Sequence, residues 1–275
     1  MNTKIITNYS KLRIFLFLLP LSLLVTIVVF LYEQNALSIS SYTQIQKDSF
    51  IFINHNLGVY PNLQFNLTQF GDCLISLSLL SLFIVYAPKI WEAFLSASLI
   101  SCLFTRVLKS LFAVPRPAAM LDHSKFIITG ETLSGNNSLP SGHAITIFTA
   151  HTILMFAFMP KKLSHKILWF FLAISIGLLL VFTRVGVGAH YPIDVIVGSI
   201  IGYISGLLGI FISRKYKIWS WVNDKKYYPI FIVLFLICAA ILINRIIHEN
   251  LIIFYLTLIC LLFSTYKIIK VYVQK

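Results

Sequence analysis

A chain of 275 residues with 58% hydrophobic and only 11% charged residues falls outside the range of water-soluble domains, in which about 25% of residues carry charge. Its mean hydropathy of +0.87 calls instead for helices immersed in lipid. The formal charge of +13 would suit nucleic acid, but the placement of the basic residues argues against that partner.

A membrane-crossing helix takes about 20 mostly apolar residues. Taken in order, eight stretches qualify, at roughly 13–32, 70–87, 90–112, 142–159, 167–183, 193–213, 229–247 and 251–272. The pattern predicts an all-α fold, a polytopic transmembrane helix bundle. The first stretch follows Lys4, Lys11 and Arg13, but its apolar run of about 18 residues exceeds the 7–15 of a cleaved leader. A retained first span is therefore expected. Residues 33–69, rich in Phe, Tyr, Leu and Asn, are read as an interfacial loop. Arg106 and Lys109 sit late in the third span, and several glycines punctuate the sixth.

With the N-terminus placed in the cytoplasm, Lys4, Lys11, Arg13, Lys89, Lys161, Lys162, Lys166, the basic residues of 214–226, and Lys267, Lys270 and Lys275 all fall inside. This is what the positive-inside rule requires. Glu33, Asp48, Asp122, Glu131 and Glu249 fall outside or at outer ends. The basicity is thus mostly a topology signal, and no nucleic-acid partner is expected. Cys73, Cys102, Cys238 and Cys260 lie in apolar stretches without metal-type spacing and read as small buried hydrophobes.

Three polar clusters are left over, and all three fall on the outer side. In "KSLFAVPRP", Lys109 and Arg116 are seven residues apart, two helical turns on one face, and Pro115 and Pro117 break the helix and turn Arg116 back. Taken alone, this pair equally suits two cations reaching for headgroups. In "LPSGHA", Pro140 suits a helix entry, Ser141 is a good N-cap, and Gly142 lets a ligand approach the backbone. The free N–H groups of that first turn form an anion site, with His143 beside it. In "TRVGVGAHYPID", Arg184 ends one span and His190 opens the next, with Asp194 four residues on. At that spacing a carboxylate can accept the second imidazole N–H.

Three cations, a helix N-terminus, two histidines and a carboxylate suit phosphoryl chemistry, in which charge spreads over three oxygens. One histidine can be the nucleophile and the other can protonate the leaving oxygen. No metal or cofactor is called for, since the Asp/Glu pairs or Cys/His groupings that hold one are missing from this face of the sequence.

Lys109-x6-Arg116-Pro117, Pro140-Ser141-Gly142-His143 and Arg184-x5-His190-x3-Asp194 resemble the three signatures of the type 2 phosphatidic acid phosphatase family, in that family's order. The resemblance covers about residues 70–213. It implies that His190 attacks phosphorus, that Asp194 orients His190, and that His143 is the general acid. Lys109, Arg116, Arg184, Ser141 and the Gly142 N–H would hold the phosphate oxygens. It further implies a six-span phosphatase-like body, the first span together with the five spans of 70–213, with a C-terminal two-span extension. The chain then divides into a first span and outer loop over 1–69, a phosphatase-like catalytic body over 70–213, and a basic loop and two-span hairpin over 214–275. Thr183 stands where the third signature often has serine, and the C-terminal hairpin exceeds the usual six spans; closing one side of the body and making a dimer contact are both open for it. The expected substrate is a membrane lipid phosphate or diphosphate (lipid A, undecaprenyl diphosphate or phosphatidylglycerol phosphate), met at the outer face of a bacterial plasma membrane. A lipid phosphotransferase is the nearest rival, then a non-catalytic transporter. A vanadate-dependent haloperoxidase shares the residues but is soluble. His55, His123, His151 and His165 are given no part in the site.

Overall fold

Proline opens five of the helices, and a left-handed residue caps the end of two. The structure, a computed structural model, describes residues 1–274; Lys275, assigned above to the inner side, lies outside them. Among the described residues the regular structure is α-helix and short 3-10 turns, with no strand. Helix α1 (Asn2–Ser10) precedes α2 (Leu18–Glu33). Helices α3 (Ile39–Gly58), α4 (Pro61–Thr68) and α5 (Cys73–Leu80) follow. Next come α6 (Pro88–Phe112), the single turn α7 (Pro117–Met120) and α8 (Gly142–Ala157). The chain ends with α9 (Leu163–Gly186), α10 (Pro192–Lys215), α11 (Tyr228–Glu249) and α12 (Ile252–Val273).

Six segments are long and apolar enough to cross a bilayer: Ile14–Glu33, Pro88–Met120, Leu163–Gly186, Pro192–Lys215, Lys225–Glu249 and Ile252–Val273. The protein is an integral membrane protein. The other two expected spans are shorter, Cys73–Phe83 and Gly142–Ala157. At 1.5 Å per residue the 16 residues of α8 rise about 24 Å, less than the roughly 30 Å of a hydrocarbon core. Local chemistry sets both lengths. Asp72 caps α5 by accepting from Leu74 N, Ser141 caps α8 by accepting from Ala144 N, and Pro160 follows α8 three residues after its end.

The glycines that punctuate the sixth span are its contact seam. Helix α10 crosses α8 at Gly198, Gly202 and Gly206, where a methyl group would come within 2.6 Å of Ser141 O, 2.5 Å of Ile145 O and 2.8 Å of Thr152 Cβ. Without a hydrophobic drive between helices in lipid, such small residues at every fourth position allow backbones to pack closely. Helix α1 then closes the far end of α8. Asn8 Nδ2 donates to Ala157 O and Met159 O at 2.9 and 3.0 Å, satisfying carbonyls that a helix C-terminus leaves open.

Residues 33–69 are not a loop. Helices α3 and α4 pack against α9, and Asn54 of α3, fully buried, donates from Nδ2 to Ile127 O, Val185 O and Gly186 O and accepts from Ile127 N. The C-terminal hairpin closes one side of the bundle. Phe231, Phe235 and Phe254 share a core with Ile75 of α5 and Trp91 of α6. Arg245 pairs with Asp72 at 2.9 Å, and Asn66 Oδ1 accepts from Ile253 N.

Candidate active site

Antiparallel packing places the ends of α6 and α9 beside the starts of α8 and α10, and the polar clusters gather there. Lys109 stands on the last turn of α6. That helix stops at Ala113, which has φ +46° and donates its N–H to Lys109 O. The chain then turns through Pro115 so that Arg116 folds back, 7% exposed. Arg116 Nε donates to Asn137 Oδ1 at 2.7 Å and Nη1 to Ala189 O at 3.2 Å, and Nη1 lies 3.4 Å from His190 Nε2.

Ser141 joins α8 to α10, its N–H donating to Asp194 O at 3.0 Å. Its Oγ and its carbonyl accept from Ala144 N and Ile145 N. The N–H groups of Gly142 and His143 are left without a protein acceptor among the described residues. At Gly142 a methyl group would sit 3.7 Å from Lys109 Nζ, so the lysine ammonium hangs over this helix N-terminus. His143, half-buried, occupies the same turn, tight against Gly71.

Arg184, on the last turn of α9, donates from Nη1 to Thr68 Oγ1 at 2.9 Å, while its buried Nε has no partner among the described residues. His190 and Asp194 are 1% and 0% exposed. The direct hydrogen bond expected between them at i,i+4 is not made, since His190 Nδ1 lies 3.6 Å from Asp194 Oδ2. Ser138 bridges the gap, its Oγ 3.3 Å from Nδ1 and 2.5 Å from Oδ2, to which it donates. A hydroxyl that gives its proton to the carboxylate can accept from Nδ1–H. That arrangement leaves the Nε2 lone pair facing Arg116 and the pocket.

Asp194 also accepts from Tyr42 OH at 2.6 Å and Tyr191 N at 3.0 Å, while Gln46 Oε1 accepts from Ile193 N. Burial, then the Asp194 carboxylate, pushes the Tyr42 phenol well up, so it remains a donor. Burial, then the charges of Arg116, Arg184, Lys109 and His143, holds His190 well below the usual imidazole range. Its ring is therefore held neutral.

All the predicted residues converge: Lys109, Arg116, Arg184, Ser141, Gly142, His143, His190 and Asp194. Three cations face one carboxylate, an imbalance that a buried site leaves for an anion to correct. Sequence reasoning missed Ser138, Tyr42, Thr68 and Asn137. Ser138 lies three residues before Ser141 in a polar run, which was a usable signal. Tyr42 carried none, because its neighbours look like a surface loop.

Fold and site together define an integral membrane protein with a buried cationic pocket around a histidine pair at one end of its bundle. Over residues 90–219 the chain matches the family described as the PAP2 superfamily. It is similar to the bacitracin transport permease protein BcrC of Bacillus licheniformis, 28% identical over 188 residues, or 64% of this chain and 84% of the relative. It is also similar to the undecaprenyl-diphosphatase of Sulfolobus acidocaldarius, 27% identical over 156 residues, or 56% of this chain and 71% of the relative. The crystal structure of Aquifex aeolicus LpxE superposes with a TM-score of 0.49 at 26% identity, covering 62% of this chain and 94% of that one.

Proposed function

We propose that the protein is a lipid phosphatase that removes phosphate from a lipid phosphate or diphosphate through a phosphohistidine. The observation that carries this reading is the gathering of Arg116 at His190 Nε2, Lys109 over the Gly142 turn and buried Arg184 at one end of the bundle, faced by one buried carboxylate. His190 Nε2 attacks phosphorus as the phosphorus–oxygen bond to the lipid breaks, and His143 gives its proton to the departing oxygen. Water then attacks the phosphohistidine, His143 takes a proton back, and inorganic phosphate leaves. Lys109, Arg116, Arg184 and the Gly142 N–H hold the oxygens whose charge grows in the transition state. Asp194, acting through Ser138, orients His190 and offsets the positive charge that its ring gains. Residues 70–213 form the catalytic body in this reading.

The distribution of basic residues supports a site at the extracytoplasmic face of a plasma membrane, with the N-terminus inside. There a lipid presents its phosphate without leaving the bilayer. The curated relative named as an undecaprenyl-diphosphatase supports a long-chain lipid substrate.

The test is phosphate release by purified protein in detergent, with chelator present, from phosphatidic acid, phosphatidylglycerol phosphate, undecaprenyl diphosphate and lipid A. Release that survives chelator, is blocked by vanadate and is lost in His190→Ala is expected. Failure to release phosphate from any of them would sink the hydrolase. Phosphate appearing on an added second lipid instead would make the protein a phosphotransferase.

A further inference from the structure

A fourth cation stands beside the pocket, on an element outside residues 90–219. Arg245 of α11 belongs to the C-terminal hairpin, and its charge acts on His143 along with those of Arg184, Arg116 and Lys109. Its guanidinium is held from two sides. Nη1 donates to Asp72 Oδ2 at 2.9 Å, and the group lies 5.8 Å from the centroid of the Phe254 ring. Asp72 is itself fixed, because its Oδ1 caps α5 by accepting from Leu74 N at 2.7 Å. It is also tied to the general-acid side of the pocket, since the preceding Gly71 packs directly on His143, where a methyl group would come within 2.5 Å of His143 Cβ.

Resting on the lipid phosphatase reading above, we infer that Arg245, positioned by Asp72, binds the inner phosphate of a diphosphate lipid and makes diphosphates the preferred substrates. The two substrate classes differ in what leaves beside His143. A monophosphate releases a neutral alcohol once protonated. A diphosphate releases a phosphate monoester, which carries negative charge throughout the bond cleavage. The three cations of the pocket are engaged with the outer, transferred phosphoryl group. A charge on the departing group needs its own partner beyond His143, and Arg245, paired with the neighbour of the glycine that packs on His143, is placed to supply it. Asp72 takes one N–H of a guanidinium that carries five, and Arg245, about 30% exposed, keeps the others open to a ligand. A staple whose sole purpose was to hold the hairpin would need no cation here. Asn66 Oδ1 and Ile253 N already join the same hairpin to α4 without charge.

The experiment compares kcat/KM for a polyprenyl diphosphate and the monophosphate of the same chain, in wild type and in Arg245→Gln, Arg245→Lys and Asn66→Ala. Loss of a charged hydrogen bond to the departing phosphate predicts a fall of roughly 10- to 100-fold on the diphosphate in Arg245→Gln. The monophosphate rate should change by less than about threefold, and lysine should restore part of the diphosphate rate. Asn66→Ala, which weakens the hairpin without removing the cation, should leave the ratio of the two substrates unchanged. Equal losses on both substrates in Arg245→Gln would overturn the inference and leave Arg245 a staple. So would a wild type that prefers the monophosphate. Neither result touches the phosphatase reading, which fails only if wild type releases phosphate from none of the lipids in the panel above.

Discussion

Replacing Tyr42 with phenylalanine tests how the site is supported. The phenol lies 4% exposed and donates to Asp194 Oδ1 at 2.6 Å, a hydrogen bond to a buried charge. Such bonds contribute about 1.5–3 kcal/mol. Phenylalanine fills the same space, so the change removes one donor and little packing. Asp194 keeps Ser138 Oγ and Tyr191 N, and the carboxylate remains in place but is less well held. Its task in the proposed reaction is to offset the charge that His190 gains as phosphorus transfers. The loss therefore falls mainly on the transition state, and kcat should drop roughly 10- to 100-fold. Tyr42 makes no hydrogen bond to the groups proposed to hold phosphate, so KM should change by less than about threefold. The assay is steady-state phosphate release over a range of lipid concentrations in mixed micelles, with thermal unfolding of the same sample to show that the fold survives. A kcat within threefold of wild type, or a defect confined to KM, would refute the argument that α3 supports the catalytic carboxylate.

Two further outcomes follow from the same geometry. His190 is held neutral by burial and by the neighbouring cations, so its folded pKa lies below the unfolded value of about 6.5. Its contribution to stability is fully present above about pH 6.5 and is lost as pH falls towards the folded value. Thermal midpoints of wild type should accordingly fall more steeply below that pH than those of His190→Gln; parallel curves would count against it. Gly198→Ala should place a methyl group 2.6 Å from Ser141 O, an overpacking that costs about 1–3 kcal/mol. It should also shift the N-terminus of α8 and lower phosphate release about tenfold, whereas Gly206→Ala, placed against Thr152, should lower the thermal midpoint without a comparable loss of rate. Equal activity in the two variants would mean that the seam does not position the anion site.

What the sequence determined by itself is local. Pro117, Ser141 and Pro192 start helices, apolar runs require lipid, and Lys109, Arg116, His143, Arg184, His190 and Asp194 are spaced by helical and turn geometry that short-range sterics dictate. Those rules place each group at a helix end, and alternation of the spans brings the ends to one side. What only the tertiary structure decided is contact between elements far apart in the chain. The buried stripe of α3 runs Tyr42, Gln46, Phe50, Asn54 and Gly58, one residue every four, the period of a helix face. It was invisible because hydropathy treats Gln and Asn as surface residues, and only a neighbour offering backbone partners, here α9 and the turn at Ile127, makes them core. The insertion of Ser138 between His190 and Asp194 was hidden for the same reason. Spacing says that two side chains share a face, but the distance between them depends on what a distant loop places there.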